Sequence, residues 1–166
     1  MRRIIYVILM FTVAAIIDLG LSSNVKIDPP QPDEIFETAV RLIKKYETLH
    51  QPRHYPLVGY GHRVLPGERF SRTKTLQEET ADSILRVDLL KNCAMFREFG
   101  KDSLLLGTLA YNVGCGTVRK SSIIKKLSSG DRNIREIYLS YCRYKGKRHS
   151  QIAERRKEEF DLLFIE

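Results

Sequence analysis

The sequence predicts a mainly α fold of the α+β class, with one small β-hairpin near the N-terminal end of the domain and a helical lobe after it. Three observations lead there. Apolar residues recur at helical spacing from Ile35 to Tyr46 and again beyond residue 75. One stretch, residues 54–64, combines glycines with β-forming residues. Proline and glycine breaks divide the remainder into pieces of helix length. The chain has 166 residues, 43% apolar and 29% charged, which suits one globular domain with a single core.

Each element follows from its own residues. Ile35, Phe36, Ala39, Val40, Leu42, Ile43 and Tyr46 fall on one side of a helix beginning at Glu34, and Glu37, Arg41, Lys44 and Lys45 fall on the other. Pro52 cannot continue a helix, so this one stops near His50 and leaves Glu47 in its last turn. Residues 54–64, with Tyr55, Val58, Tyr60 and Val64, read as a short strand turning at Pro66-Gly67 into a partner around Arg69-Phe70. Thr75-Leu76-Gln77-Glu78 has capping-box spacing and opens a long helix ended by Gly100. Asp102 or Ser103 caps a second helix whose Leu104, Leu105, Leu106, Leu109, Ala110 and Val113 call for burial on most sides, with Gly114 and Gly116 ending it. A short helix runs from Ser121 or Ser122 to Leu127. Another, capped by Asp131, carries Ile134, Ile137, Tyr138 and Tyr141. The last spans about Ser150 to Phe164.

The N-terminal residues bear on compartment. Met1-Arg2-Arg3 is a basic head, residues 4–17 are almost wholly apolar, and Gly20, Ser22 and Ser23 supply small residues at a cleavage point. Residues 1–23 therefore read as a signal peptide or N-terminal anchor. The run is shorter than the roughly 20 apolar residues of an ordinary span. Residues 24–33, with Pro29, Pro30 and Pro32, read as a linker, and 34–166 as the folded domain. The expected location is periplasmic or secreted, or anchored to the inner membrane, with membrane contact only through the N-terminal segment.

The formal charge is +8, and loss of residues 1–23 removes Arg2, Arg3 and Asp18 and leaves +7. Such a surface attracts anionic polymers. The export segment and the lack of a recognised binding motif argue against nucleic acid as the partner. Cys93, Cys115 and Cys142 lie far apart without metal-type spacing; two of them could pair in an oxidising compartment. No metal or other cofactor is implied.

Several motifs in order carry a resemblance. They are Tyr46-Glu47; Val58-Gly59-Tyr60-Gly61-His62; Thr75 followed by Ala81, Leu85 and Asp88-Leu89; Ala110-Tyr111-Asn112-Val113-Gly114-Cys115-Gly116 before Ser121-Ser122-Ile123; and Arg155-Arg156-Lys157-Glu158-Glu159. Over about residues 35–164 the chain resembles the phage-type lysozymes of glycoside hydrolase family 24, and is most similar to the lysozyme-related proteins of Bacteroidetes conjugative transfer systems. The resemblance implies a lysozyme-like fold and cleavage of peptidoglycan between N-acetylmuramic acid and N-acetylglucosamine. It also implies a role beside a conjugative transfer apparatus, opening the wall locally. By position it makes Glu47 the catalytic acid, and His62, Tyr60, Asn112, Arg155 and Arg156 substrate-binding candidates. The chain departs from the family pattern in three places. Thr48 stands where the family usually has Gly, Leu57 stands at its usual Thr, and no acidic residue lies between Glu47 and His62.

Breaking a glycosidic bond needs a proton for the leaving oxygen and stabilisation of a cationic sugar centre. An apolar pocket and the negative end of a helix dipole favour the protonated acid, while a cation from Arg155 or Arg156 opposes both and fixes the carboxyl's orientation. The second role has three candidate solutions: a water held by a polar side chain, His54 or His62 as base, or the substrate's own muramoyl 6-hydroxyl. The last gives a 1,6-anhydro product. Glu68 is the nearest downstream acid. The plainer alternatives are a catalytically inactive wall-binding module, a packing role for His62, a helix cap for Asn112, a solvated face for Arg155 and Arg156, a structural ion pair for Asp88, and a solvated loop at residues 143–149.

Overall fold

The computed structural model describes residues 32–166, so the expected signal segment and most of the expected linker lie outside the described residues. Helix α1 spans Pro32–Glu47 and so takes in the last two residues read as linker. Proline is compatible with a first helical turn, whose N–H groups have no intrahelical partner, and Asp33 and Glu34 suit the positive end of the dipole. Ile35, Ala39, Val40, Leu42 and Ile43 form its buried stripe, on the side the periodicity predicts. The helix ends at Glu47 rather than near His50.

The hairpin differs from the expected one. Strand β1, Leu57–Val58, pairs antiparallel with β2, His62–Arg63, so that Leu57 faces Arg63 and Val58 faces His62. The Gly59-Tyr60-Gly61 run is the turn rather than strand interior. Gly59 and Gly61 have φ of 57° and 101°, which an extended strand excludes and which glycine adopts without steric penalty. The Pro66-Gly67 region makes a separate turn closed by the Glu68 N–H to the Leu65 carbonyl, and Arg69-Phe70 forms no strand.

Helix α2 spans Glu78–Ala94, and Gln77 occupies the N-cap. The expected capping box is absent because both of its side chains have partners elsewhere. Thr75 Oγ1 donates to Gln51 Oε1, and Glu78 Oε1 accepts from the Tyr60 hydroxyl and pairs with Lys44. A 3-10 segment, Arg97–Asp102, carries the chain past Gly100 into α3, Ser103–Val113. The Asp102 carboxylate makes no cap and is held by Arg132 at 2.7 and 3.0 Å. Gly114 ends α3, whereas Gly116 lies inside α4, Cys115–Arg119.

Helices α5, Ser122–Ser128, and α6, Arg135–Leu139, follow. Asp131 lies outside α6, bound to Lys126 and to the Asn133 N–H. The basic stretch after Cys142 is a second hairpin, β3 Arg143–Tyr144 with β4 Lys147–Arg148, where a loop was expected. Helix α7, Ser150–Leu163, completes the described chain. All three cysteines are free thiols.

The core is built around α3. Leu105, Leu106, Thr108, Leu109 and Ala110 are all buried, with α2 against one side and α1 and α7 also in contact. Close approach of α2 and α3 rests on Gly107. A Cβ there would stand 2.6 Å from Cys93 Sγ and 2.9 Å from the Cys93 backbone nitrogen. Because backbone is among the contacts, the neighbour cannot simply rotate away. Gly107→Ala is therefore expected to lower the unfolding free energy by about 1–3 kcal/mol, the usual cost of overpacking, as read from urea denaturation. Unchanged stability would mean that the two helices separate without penalty.

Candidate active site

Glu47 stands at the carboxyl end of α1, with its side chain 21% exposed, and the following residue turns the chain sharply. Thr48 holds a left-handed backbone, φ 54°, and its N–H reaches the Lys44 carbonyl at 3.2 Å. This conformation is uncommon for a β-branched residue and explains why glycine suits the position.

Across from it, α7 supplies Arg155. Its Nη1 donates to Glu47 Oε1 at 2.5 Å and its Nε donates to Glu159 Oε1 at 2.8 Å. Glu159 Oε2 accepts from the Tyr138 hydroxyl at 2.8 Å and lies 2.9 Å from Arg156 Nη1. Arg156 Nη2 donates to Asn112 Oδ1 at 3.3 Å. Glu159 and Arg156 are 0% exposed and Arg155 is 4% exposed, so this cluster forms a wall behind the Glu47 carboxyl. Burial pushes the Tyr138 hydroxyl well above its ordinary pKa, and so it remains a donor to Glu159.

The hairpin approaches the same carboxyl from the other side. A Cβ at Gly61 would lie 3.6 Å from Glu47 Oε2 and 3.9 Å from Tyr111 Cε1, at ordinary contact distance, so the turn backbone passes beside that carboxyl. The Tyr111 hydroxyl donates to the Tyr60 carbonyl at 3.0 Å and ties α3 to the turn. Gly61 and Tyr111 line a hollow of about 300 Å³ together with His62, Arg63, Asp88, Asn92 and Gly114. A second hollow, of about 450 Å³, lies beside Tyr46, Thr48, His149 and Arg155. Gly61 of the smaller hollow thus passes beside the Glu47 carboxyl, and the larger hollow is lined by its chain neighbours Tyr46 and Thr48 and by Arg155, which binds it.

The sequence-predicted residues separate into groups. Glu47, Arg155, Arg156 and Asn112 belong to one connected polar network. Within it Arg156 is fully enclosed and Arg155 nearly so, which disagrees with a solvated face and leaves Arg156 without surface to offer a ligand. Tyr60 contributes its backbone carbonyl, but its ring is buried and its hydroxyl goes to Glu78, so its side chain supports the core. His62 lines the smaller hollow yet is only 7% exposed, with Nδ1 2.6 Å from Asp88 Oδ2 and Nε2 2.9 Å from Glu68 Oε2. His50 and His54 meet edge to face at 5.0 Å, and the nitrogens of His54 face the Gln51 N–H and Arg53 Nε. Among the described residues no group of three His, Cys, Asp or Glu side chains is placed to hold a metal ion. Tyr111 and Glu159 also join the site, although the motifs that contain them assign them no role. The i,i+4 and i,i+3 spacings from Arg155 and Arg156 to Glu159 were the available signal for the latter.

Two predictions follow from this geometry. Thr48→Gly relieves the left-handed strain and is expected to raise stability by about 1 kcal/mol, net of the greater freedom glycine has in the unfolded chain. Chemical denaturation reads it, and a loss of stability would show that Thr48 makes a compensating contact. The second concerns pH. Burial lowers the affinity of His62 for its proton, but Glu68 and Asp88 outweigh burial and raise its pKa above 6.5. The stabilisation is therefore complete below that value and is lost as pH rises through the raised folded pKa. Glu68, held by the Leu65 N–H and then by His62, lies below its ordinary 4.5, so its share is lost only in stronger acid. Wild type should lose stability as pH rises from about 6.5 through the raised pKa of His62, and His62→Gln should flatten that slope.

The comparisons with known proteins agree with this architecture. The endolysin of Bacillus phage B103 is 27% identical over 150 residues, an alignment covering 78% of this chain and 53% of that relative. The chain thus spans about half the length of the relative it matches. The solved endolysin from Escherichia coli O157:H7 phage FAHEc1 superposes with a TM-score of 0.62 at 22% identity, covering 75% of this chain and 89% of that one, a likeness of fold. The family model described as phage lysozyme matches residues 43–159, a range that holds Glu47, the glycine hairpin, the α3 core and the Arg155–Glu159 network. Matched over more than half its length, with a lysozyme-like fold, the chain belongs to the phage lysozyme family.

Proposed function

We propose that this protein cleaves the glycan strands of peptidoglycan between N-acetylmuramic acid and N-acetylglucosamine, with Glu47 as the general acid. The observation that carries the reading is the Glu47 carboxyl itself. It is partly exposed at the end of α1, oriented by Arg155, and flanked by the bare Gly61 beside the hollow. Family membership supplies the substrate class. In the step, Glu47 gives its proton to the glycosidic oxygen of the departing N-acetylglucosamine as the C1–O bond breaks, and the sugar centre becomes cationic. In hydrolysis, water adds its oxygen to C1 and a proton returns to the carboxylate.

A second reading is favoured by what occupies the other candidates. Both ring nitrogens of His62 are taken by carboxylates, which makes it a poor base. Glu68 is held by His62 and by the Leu65 N–H. The His54 nitrogens face donors on Gln51 and Arg53. With these groups engaged, attack on C1 by the muramoyl 6-hydroxyl needs no further carboxylate. Its proton passes to Glu47, and the ring closes to a 1,6-anhydro sugar lighter by one water. The basic surface suits an anionic wall polymer. Export through residues 1–23 would place the enzyme in the periplasm, as a secreted protein or on the inner membrane. There it would open the wall locally for a conjugative transfer apparatus.

Mass spectrometry of the soluble products released from peptidoglycan by the purified protein and by Glu47→Gln tests the reading. Loss of the acid should slow release by about 10²–10⁴-fold. Reducing-end muropeptides would identify a hydrolase, and products lighter by one water a lytic transglycosylase. A folded, wall-binding protein that releases nothing would reject both and leave a wall-binding module.

A further inference from the structure

The fully buried carboxylate of Glu159 lies outside the cleft, yet it is the second anchor of the guanidinium that holds Glu47. An arginine side chain joined to one partner can rotate about several bonds and present either end of its planar fork. Arg155 has two partners at different atoms. Nε is bound by Glu159 Oε1 at 2.8 Å and Nη1 reaches Glu47 Oε1 at 2.5 Å, which together define both the plane and the direction of the group.

Glu159 is itself fixed. Its other oxygen accepts from Tyr138 on α6 and lies 2.9 Å from Arg156, which shares α7 with Glu159. The chain of contact therefore runs from Tyr138 and Arg156 through Glu159 and Arg155 to Glu47 at the end of α1. Glu159 thus gives Arg155 a second carboxylate partner, and Glu47 is not its sole one.

We propose that Glu159 is a positioning residue for the cleavage reaction, setting the orientation of the Glu47 carboxyl through Arg155, with Tyr138 as the support of Glu159. This rests on the reading of Glu47 as the acid. Because Glu159 is enclosed and away from solvent, its contribution enters the reaction step and leaves substrate association largely alone.

Kinetics on soluble, uncrosslinked peptidoglycan strands test it. Glu159→Gln should lower kcat at least tenfold while KM stays within twofold. On an Arg155→Met background the same change should have little further effect on kcat, since nothing remains to be positioned. Tyr138→Phe, a milder change for use if Glu159→Gln does not fold, should lower kcat severalfold at constant KM. A kcat unchanged in the folded variants, a fall matched by a rise in KM, or losses that multiply on the Arg155→Met background would overturn the proposal. Should the wild type release no product, the cleavage reading fails and the positioning is read separately from crystal structures of wild type and variant. A guanidinium displaced from Glu47 in Glu159→Gln or Tyr138→Phe supports it, and an unmoved one overturns it.

Discussion

The Arg155 guanidinium, shared between Glu47 and Glu159, is the interaction on which the site depends. Charges taken out of water carry a desolvation cost of several kcal/mol each, and that cost is offset only where geometry and hydrogen bonds are good on every side. Here Arg155, Arg156 and Glu159 are almost fully enclosed; each makes contact with an oppositely charged or polar partner, while Arg155 Nη2 and Arg156 Nε are buried without a hydrogen-bond partner, so the offset is incomplete. Removing one member of such a set typically costs about 3–5 kcal/mol because the partner is left buried and uncompensated. The network is weak evidence for stability and strong evidence for geometry. It joins α6 and α7 to the end of α1 and leaves one carboxyl, Glu47, at the boundary with solvent.

The hairpin meets that carboxyl with very little structure. Two residues per strand cannot hold a shape alone, so the turn is secured from outside. Tyr111 ties its backbone to α3, Glu78 and Lys44 receive the Tyr60 side chain, and Asp88 of α2 holds His62. Glu68 completes the His62 arrangement and draws the following loop onto the same point. With no acidic residue between Glu47 and His62, the nearest downstream carboxylate is committed to supporting the hairpin. That commitment favours the proposed mechanism with a single acid.

The helices and the order of the motifs were legible from the chain. Periodic apolar residues specify which face of α1 is buried, and the leucine run of α3 specifies a central helix, because burial of apolar surface is a summed effect that tolerates local detail. Helix starts and the hairpin register were less legible. At Thr75 and Glu78 a good local cap lost to partners on other elements, and at Asp102 the carboxylate went to Arg132. The glycine run read as strand because its β-forming neighbours dominate the pattern, whereas positive φ at both glycines makes it the turn.

By itself the sequence determined a mainly α domain, the placement of Glu47 at the end of its first helix, and the motif order by which a phage lysozyme is recognised. These depend on periodicity, on residues that stop helices, and on short spacings along the chain. Tertiary structure alone decided that Arg156 and Glu159 are interior, that Gly107 must be bare where α2 crosses α3, that His62 is held between two carboxylates, and that Arg155 reaches Glu47 across 108 positions. Apart from the bond of His62 to Glu68, six residues on, these depend on contacts between elements distant in sequence. Their existence depends on how whole helices pack, and nothing in the local pattern of either partner encodes the distance between them.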